Sequence, residues 1–179
     1  AWCAVGVGSC PSSSPTPTPT PTPGGGSELI VNGGFEGSLS PWVSSGSGAF
    51  YTSNGNYPHG GTGYIYLGVN NSVTGQVYQQ VSIPSSASGT LTFWLNVTSS
   101  ETTTTTAYDK LFVEVRSTSG ALLATLATYS NLNKSTAGSY SQRSLNVSAY
   151  RGQTVRIQFR VSNDSSSPTT FRIDNVSLR

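Results

Sequence analysis

Seven carboxylates, one histidine and two cysteines are the groups this chain offers for acid–base, nucleophilic or metal chemistry. The histidine, His59, stands in the Gly-rich turn "NYPHGGTG" (56–63). A hydrolytic triad needs an imidazole oriented by a carboxylate and facing a nucleophile. No acid lies near His59 in the sequence, and it reads as a solvated turn residue. Zinc would want more His or Cys ligands than the chain holds. Glycoside hydrolysis would need two of the seven carboxylates to face each other across the scissile bond. The Gly runs precede no Lys-Ser/Thr pair and open no helix, which excludes a phosphate cradle. The expectation is a non-catalytic protein that acts by contact.

Contact chemistry is richer. Sugar rings stack on exposed aromatic faces, using the amphipathic character of Tyr and Trp. Tyr64, Tyr66 and Trp94 fall opposite the apolar stripe of their segments, and Trp42, Tyr51 and Tyr57 fall in loops, so Trp42, Tyr64, Tyr66 and Trp94 are candidate glycan contacts. The competing reading is that such rings are core covered by a loop. Arg156, Gln158 and Arg160 on one segment, with Glu114, Arg116 and Arg172 on others, read as a cross-strand charge ladder that needs no ligand. Cys3 and Cys10 favour a disulfide closing a loop of eight residues, with Gly6 and Gly8 in its turn. Such a loop contributes about 2 kcal/mol in the chain-entropy model. Intermolecular pairing and reduced thiols stay open, as does the reading of residues 1–10 as the frayed end of an upstream domain. Six Asn-x-Ser/Thr triplets occur in a Ser/Thr-rich chain, where many arise by chance.

The elements that must position these residues are legible in the texture of the chain. Charged residues make up 9% and the net charge is +2, which points to no nucleic-acid or anionic-membrane partner. No apolar run approaches the 18 or so residues needed to span a membrane. The sequence shows no Met, and its start at Ala1 fits processing of a secretory precursor and a secreted or cell-surface location. Residues 1–10 form a short Cys-containing tail. Residues 11–27 form a Pro/Thr/Gly/Ser linker, whose alternating prolines favour a polyproline rod about 40 Å long. Thr16, Thr18, Thr20 and Thr22 on that rod are candidate O-glycan acceptors. Residues 28–179 then alternate apolar and polar with a period of two. The strand-like runs are 28–32, 63–68, 72–83, 90–97, 110–117, 121–129, 141–148, 154–162 and 170–178. Turn residues separate them at roughly ten-residue spacing, the pattern of an all-β antiparallel sandwich.

Two stretches carry a resemblance. "ELIVNGGFEGSLSPW" (28–42) resembles the opening of jelly-roll carbohydrate-binding modules, and "FRIDNVSLR" (171–179) their closing strand. Between them, "PHGGTGYIYLG", "VYQQVSIPS", "TLTFWLNV", "ETTTTTAYDKLFVEV", "LATLATYSNLN" and "AYRGQTVRIQFRVSND" resemble a β-sandwich module appended to the C-terminus of secreted bacterial peptidases and other extracellular hydrolases. The resemblance implies a jelly-roll sandwich and does little to settle activity, since such modules share architecture more than function. It also implies a structural calcium ion between the opening motif and the closing strand. That nominates Glu36 and Asp174, with backbone carbonyls near Asn32, for a shell of six to eight oxygens. A second cluster is available from Glu101, Asp109 and Asp164. For each acid, the alternative is a turn cap or a partner for Arg156, Arg160 or Arg172.

Two functional expectations follow. In the first, the protein is a self-assembling surface subunit. Its tail "AWCAVGVGSC" adds as a strand to a neighbouring copy and offers Trp2, Val5 and Val7 to pockets, and a head-to-tail contact of that kind builds filaments. In the second, the sandwich is an accessory module of a secreted hydrolase and binds a glycan or another surface polymer.

Overall fold

The computed structural model describes residues 26–179. The expectations placed on Trp2, Val5 and Val7, on the Cys3–Cys10 pairing and on Thr16, Thr18, Thr20 and Thr22 lie outside the described residues.

Ten antiparallel strands form two five-stranded sheets. In chain order they are β1 (Val43–Gly46), β2 (Ala49–Thr52), β3 (Tyr64–Gly68), β4 (Thr74–Ile83), β5 (Thr90–Ser99), β6 (Lys110–Arg116), β7 (Leu122–Ser130), β8 (Ser141–Asn146), β9 (Gln153–Ser162) and β10 (Thr169–Leu178). The first sheet runs β1-β4-β9-β6-β7 and the second β2-β3-β10-β5-β8. The chain changes sheet at nearly every connection; only β2–β3 and β6–β7 join neighbours within one sheet. This is the expected jelly-roll sandwich, and apart from two single 3-10 turns (Asn131–Asn133 and Ser148–Tyr150) the described residues hold no helix.

The core follows directly from the alternation. Leu91, Phe93, Leu95 and Val97 of β5 point inward, as do Leu111, Val113 and Val115 of β6, and all are buried. Phe93 of the second sheet meets Phe159 of the first edge-on, ring centroids 5.2 Å apart, so the two layers interlock through aromatic packing. Burying each such side chain stabilises the fold by about 2–3 kcal/mol.

Two departures from the sequence reading have clear causes. Residues 28–32 are not a strand. The Leu29 N–H donates to the Leu178 carbonyl at the end of β10, while Val31 exchanges both backbone bonds with the Gln79 side chain on β4. The segment therefore crosses from one sheet to the other and joins neither ladder. Trp42, expected in a loop as a glycan contact, is instead core. It is 4% exposed, lies between Phe35 and Phe159, and donates its indole N–H to the Asn32 carbonyl.

The short strands β1 and β2 had no counterpart in the strand-like runs. They are four residues each, and β1 carries one apolar side chain, so alternation has too little length to register.

Candidate functional site

The outer face of the second sheet gathers aromatic and polar side chains in cross-strand rows. One row runs Phe50 (β2), Tyr66 (β3), Arg172 (β10) and Asn96 (β5), each opposite the next in register. Phe50 and Tyr66 stack with centroids 5.3 Å apart and planes 15° apart, and Tyr64 leans on Tyr66 at 5.8 Å. Arg172 donates through Nη1 to Thr98 Oγ1 (3.0 Å) and Asn96 Oδ1 (3.3 Å). Its guanidinium lies 5.1 Å from the ring of Tyr57, which remains 41% exposed. A guanidinium has five N–H donors in a planar fork, and these two bonds use one nitrogen. An aromatic platform beside a cation with spare donors suits a polyhydroxylated ring, which stacks its C–H face and accepts hydrogen bonds at its edge.

The neighbouring row is closed by a loop. Trp94 of β5 sits between Asp174 and Gln142 in register. His59 stacks on the indole at 3.9 Å, with the planes 18° apart, and meets Tyr140 edge-on at 5.4 Å. Asp174 holds that loop down: its Oδ2 accepts the backbone N–H of His59 (2.8 Å) and Gly60 (3.0 Å). His59 is exposed, as expected, yet it is a lid on Trp94 and not a solvated turn. Asp174 meets the backbone of His59 and not its ring, so the pair lacks the carboxylate–imidazole geometry of a triad. Burial raises the Asp174 carboxyl above its ordinary range, against the lowering effect of the N–H groups of Gly60, Asn175 and His59. Of the four rings expected to meet glycan, Tyr66 lies half-exposed on the platform, Trp94 lies under His59, and Tyr64 and Trp42 are buried. Tyr64 stands beside Tyr66 on the same face, with Gly55 of the neighbouring loop against its ring, and so flanks the platform rather than forming its surface.

Phe50, Tyr57 and Arg172 were missing from the candidate contacts. Phe50 lies in a strand too short to read, and Tyr57 and Arg172 meet only through the tertiary fold, 115 residues apart.

The acids nominated for the first ion site are committed to backbone donors. Glu36 accepts from the N–H of Thr62 and Gly63 and from the Thr62 hydroxyl. Those N–H groups hold its carboxyl below the ordinary carboxylate range. Asn32 accepts from the Glu36 N–H and donates to the carbonyls of Ser38 and Ser40, while its own carbonyl takes the Trp42 indole. Glu36 and Asp174 thus clasp the segment 59–63 from two sides. Glu101, Asp109 and Asp164 are brought together at one end of the sandwich, where the 100–109 and 163–168 loops meet. Asp109 Oδ1 accepts the Asp164 N–H at 2.8 Å, and Asp164 Oδ1 accepts the Ser166 N–H at 2.9 Å. Among the described residues, no three His, Cys, Asp or Glu side chains stand at ready metal-binding spacing.

The charge ladder lies on the first sheet. Glu114 is fully buried and accepts from Arg116, Gln158 and Arg160, with Arg160 at 2.7 Å and Arg116 at 2.8 Å. Arg172, grouped with it by type, belongs to the other sheet. Beside the ladder, a groove of about 460 Å3 is lined by Val31, Pro41, Val43, Tyr78, Gln80 and Arg156. Its one ring, Tyr78, already carries the Arg156 guanidinium 4.5 Å from its centroid.

No family model matches the chain, and no curated protein matches it. Solved structures do. TmCBM61, solved in complex with beta-1,4-galactotriose, shares 18% identity at a TM-score of 0.61, over 86% of this chain and 99% of that one. The K3 cleaved adhesin domain of Lys-gingipain from Porphyromonas gingivalis W83 shares 17% at 0.57, over 85% and 97%. A family 29 carbohydrate-binding module complexed with mannohexaose shares 13% at 0.52, over 85% and 90%. The fold is that of a carbohydrate-binding-module-like jelly roll.

Proposed function

We propose that this chain is a carbohydrate-binding module of a secreted or cell-surface protein, holding a glycan on the outer face of its second sheet without chemistry. The Phe50–Tyr66–Arg172 row with Tyr57 beside it carries the reading, because it combines ring faces with spare hydrogen-bond donors on one surface. The solved relatives, two of them complexed with oligosaccharides, support the same choice. Self-assembly through the tail rests on residues outside the described ones, and the fold comparisons favour glycan binding over it.

The test is affinity electrophoresis against a panel of soluble β-galactans, β-mannans, xylans and β-glucans, followed by calorimetry on any hit. Tyr66→Ala and Arg172→Ala should each weaken binding about tenfold or more, about 1.4 kcal/mol, with the fold retained by circular dichroism. Binding unaffected by either change and abolished by Tyr78→Ala would move the site to the groove on the first sheet. No retardation by any polymer, with concentration-dependent polymers in ultracentrifugation, would return the argument to self-assembly.

A further inference from the structure

The two loops that meet at the end of the sandwich bury acid without a partner. Asp109 is 0% exposed and Glu101 is 8% exposed, and one oxygen of each, Asp109 Oδ2 and Glu101 Oε1, is buried with no hydrogen-bond partner. A buried carboxylate oxygen left unpaired is costly, several-fold more so than a neutral polar atom. The carboxyls also lie within electrostatic reach of one another: Glu101 feels Asp164 and Asp109 as like charges, with Lys134 opposing them. Lys134 spends its ammonium on the Glu101 carbonyl, so its charge leaves the carboxylate oxygens unpaired.

The surrounding bonds hold this arrangement. Asn131 accepts the N–H groups of Tyr108 and Asp109 and donates to the Thr106 carbonyl, fixing the turn that presents Asp109. Asp109 Oδ1 anchors the Asp164 backbone, and the Asp164 carbonyl takes the Ser72 N–H. Asn163, next in the chain, has its own unpartnered Oδ1, but that atom faces Gly68 and belongs elsewhere. We propose that Glu101, Asp109 and Asp164 hold one calcium ion that ties the 100–109 loop to the 163–168 loop, the ion drawing to ligand spacing three carboxylates that stand short of it in this structure. A hard cation answers what the geometry leaves open, since it pairs orphaned carboxylate oxygens and screens three like charges at once. Calcium fits better than magnesium: it accepts six to eight oxygens in irregular geometry, so backbone carbonyls and water complete the shell between the two loops. The site is separate from the Glu36–Asp174 clasp and independent of glycan binding.

The experiment measures calcium binding to the whole chain by calorimetry, and melting temperature in calcium, magnesium and EDTA. One calcium per chain is expected. At a concentration 100-fold above Kd, the melting temperature should rise by about 5–10 °C over EDTA, with a smaller rise in magnesium. Asp109→Asn keeps an oxygen for the Asp164 N–H and removes the charge; it should lose calcium binding and the thermal shift. Glu101→Gln, which leaves that hydrogen bond untouched, gives a second reading should Asp109→Asn misfold, and it should weaken calcium at least tenfold. Glu36→Gln should bind as the parent does. No calcium bound at millimolar concentration overturns the proposal. Calcium retained in both Asp109→Asn and Glu101→Gln overturns it too, as does calcium lost only in Glu36→Gln.

Discussion

Glu114 sits at the centre of the first sheet's outer face, fully buried yet charged. Burial pushes its carboxyl up, but hydrogen bonds from Arg160 and Arg116, with their charges, outweigh that and hold it below the ordinary range. Removing one partner of such a group leaves the others unpaired. Glu114→Gln should cost about 2–3 kcal/mol in urea unfolding, less than the 3–5 of a wholly buried pair. The guanidiniums of Arg116 and Arg160 still reach water, at 20% and 32% exposure, which softens the loss. The pH dependence has a definite sign. A carboxyl with a lower pKa in the folded chain contributes stability that is complete above its unfolded value, about 4.3. That contribution is lost as the pH falls through the folded value. Melting temperatures followed from pH 7 to pH 2 should therefore fall less steeply in Glu114→Gln than in the parent. Trp42 gives a contrasting case. Trp42→Ala empties core space between Phe35 and Phe159 and should cost about 3–5 kcal/mol, where Tyr66→Ala should chiefly cost glycan affinity.

At the scale of elements, the opening turn shows what its glycines are for. A Cβ on Gly33 would stand 1.9 Å from the Val176 carbonyl oxygen, and the Gly33 carbonyl takes the Val176 N–H. Backbone lies against backbone there, so nothing flexible can yield. Gly33→Ala should lose at least about 1–3 kcal/mol by chemical denaturation. Gly37, five residues before Trp42, has φ +70° and open space around it. Gly37→Ala should cost only the left-handed penalty of about 1–2 kcal/mol. A larger loss at Gly37 than at Gly33 would contradict this reading of the turn. The elements also explain which sequence readings succeeded. Strands of five to ten residues with one buried face announced themselves by alternation, as β4, β5, β6, β9 and β10 did. The segment 28–32 had the right composition and the wrong partners, because Leu29 and Val31 bond to different sheets.

For the whole molecule, the last strand matters most. β10 lies at the centre of the second sheet between β3 and β5, and Phe171, Ile173 and Leu178 on it are fully buried. Glu28 clasps its end by accepting from the Leu178 N–H and the Ser177 hydroxyl. Deleting residues 169–179 should leave a chain with no cooperative melting transition, because half the second sheet loses its neighbour. A truncated chain that still melts cooperatively would show that the sheet closes without β10.

The period-two runs were enough to specify an all-β sandwich and the buried face of its longer strands, because alternation is local and the hydrophobic effect acts on it directly. Which outward residues of the second sheet share a surface was settled by tertiary structure alone. With successive strands passed from sheet to sheet, Phe50, Tyr66 and Arg172 become neighbours across three strands, Tyr57 reaches them from a loop, and His59 comes to cover Trp94. The same exchange draws Glu101, Asp109 and Asp164 from two distant loops to one end, a grouping that the motif resemblance offered and their spacing did not. Sequence spacing records none of these distances, since pairing between remote strands depends on the global closure of two sheets around one core.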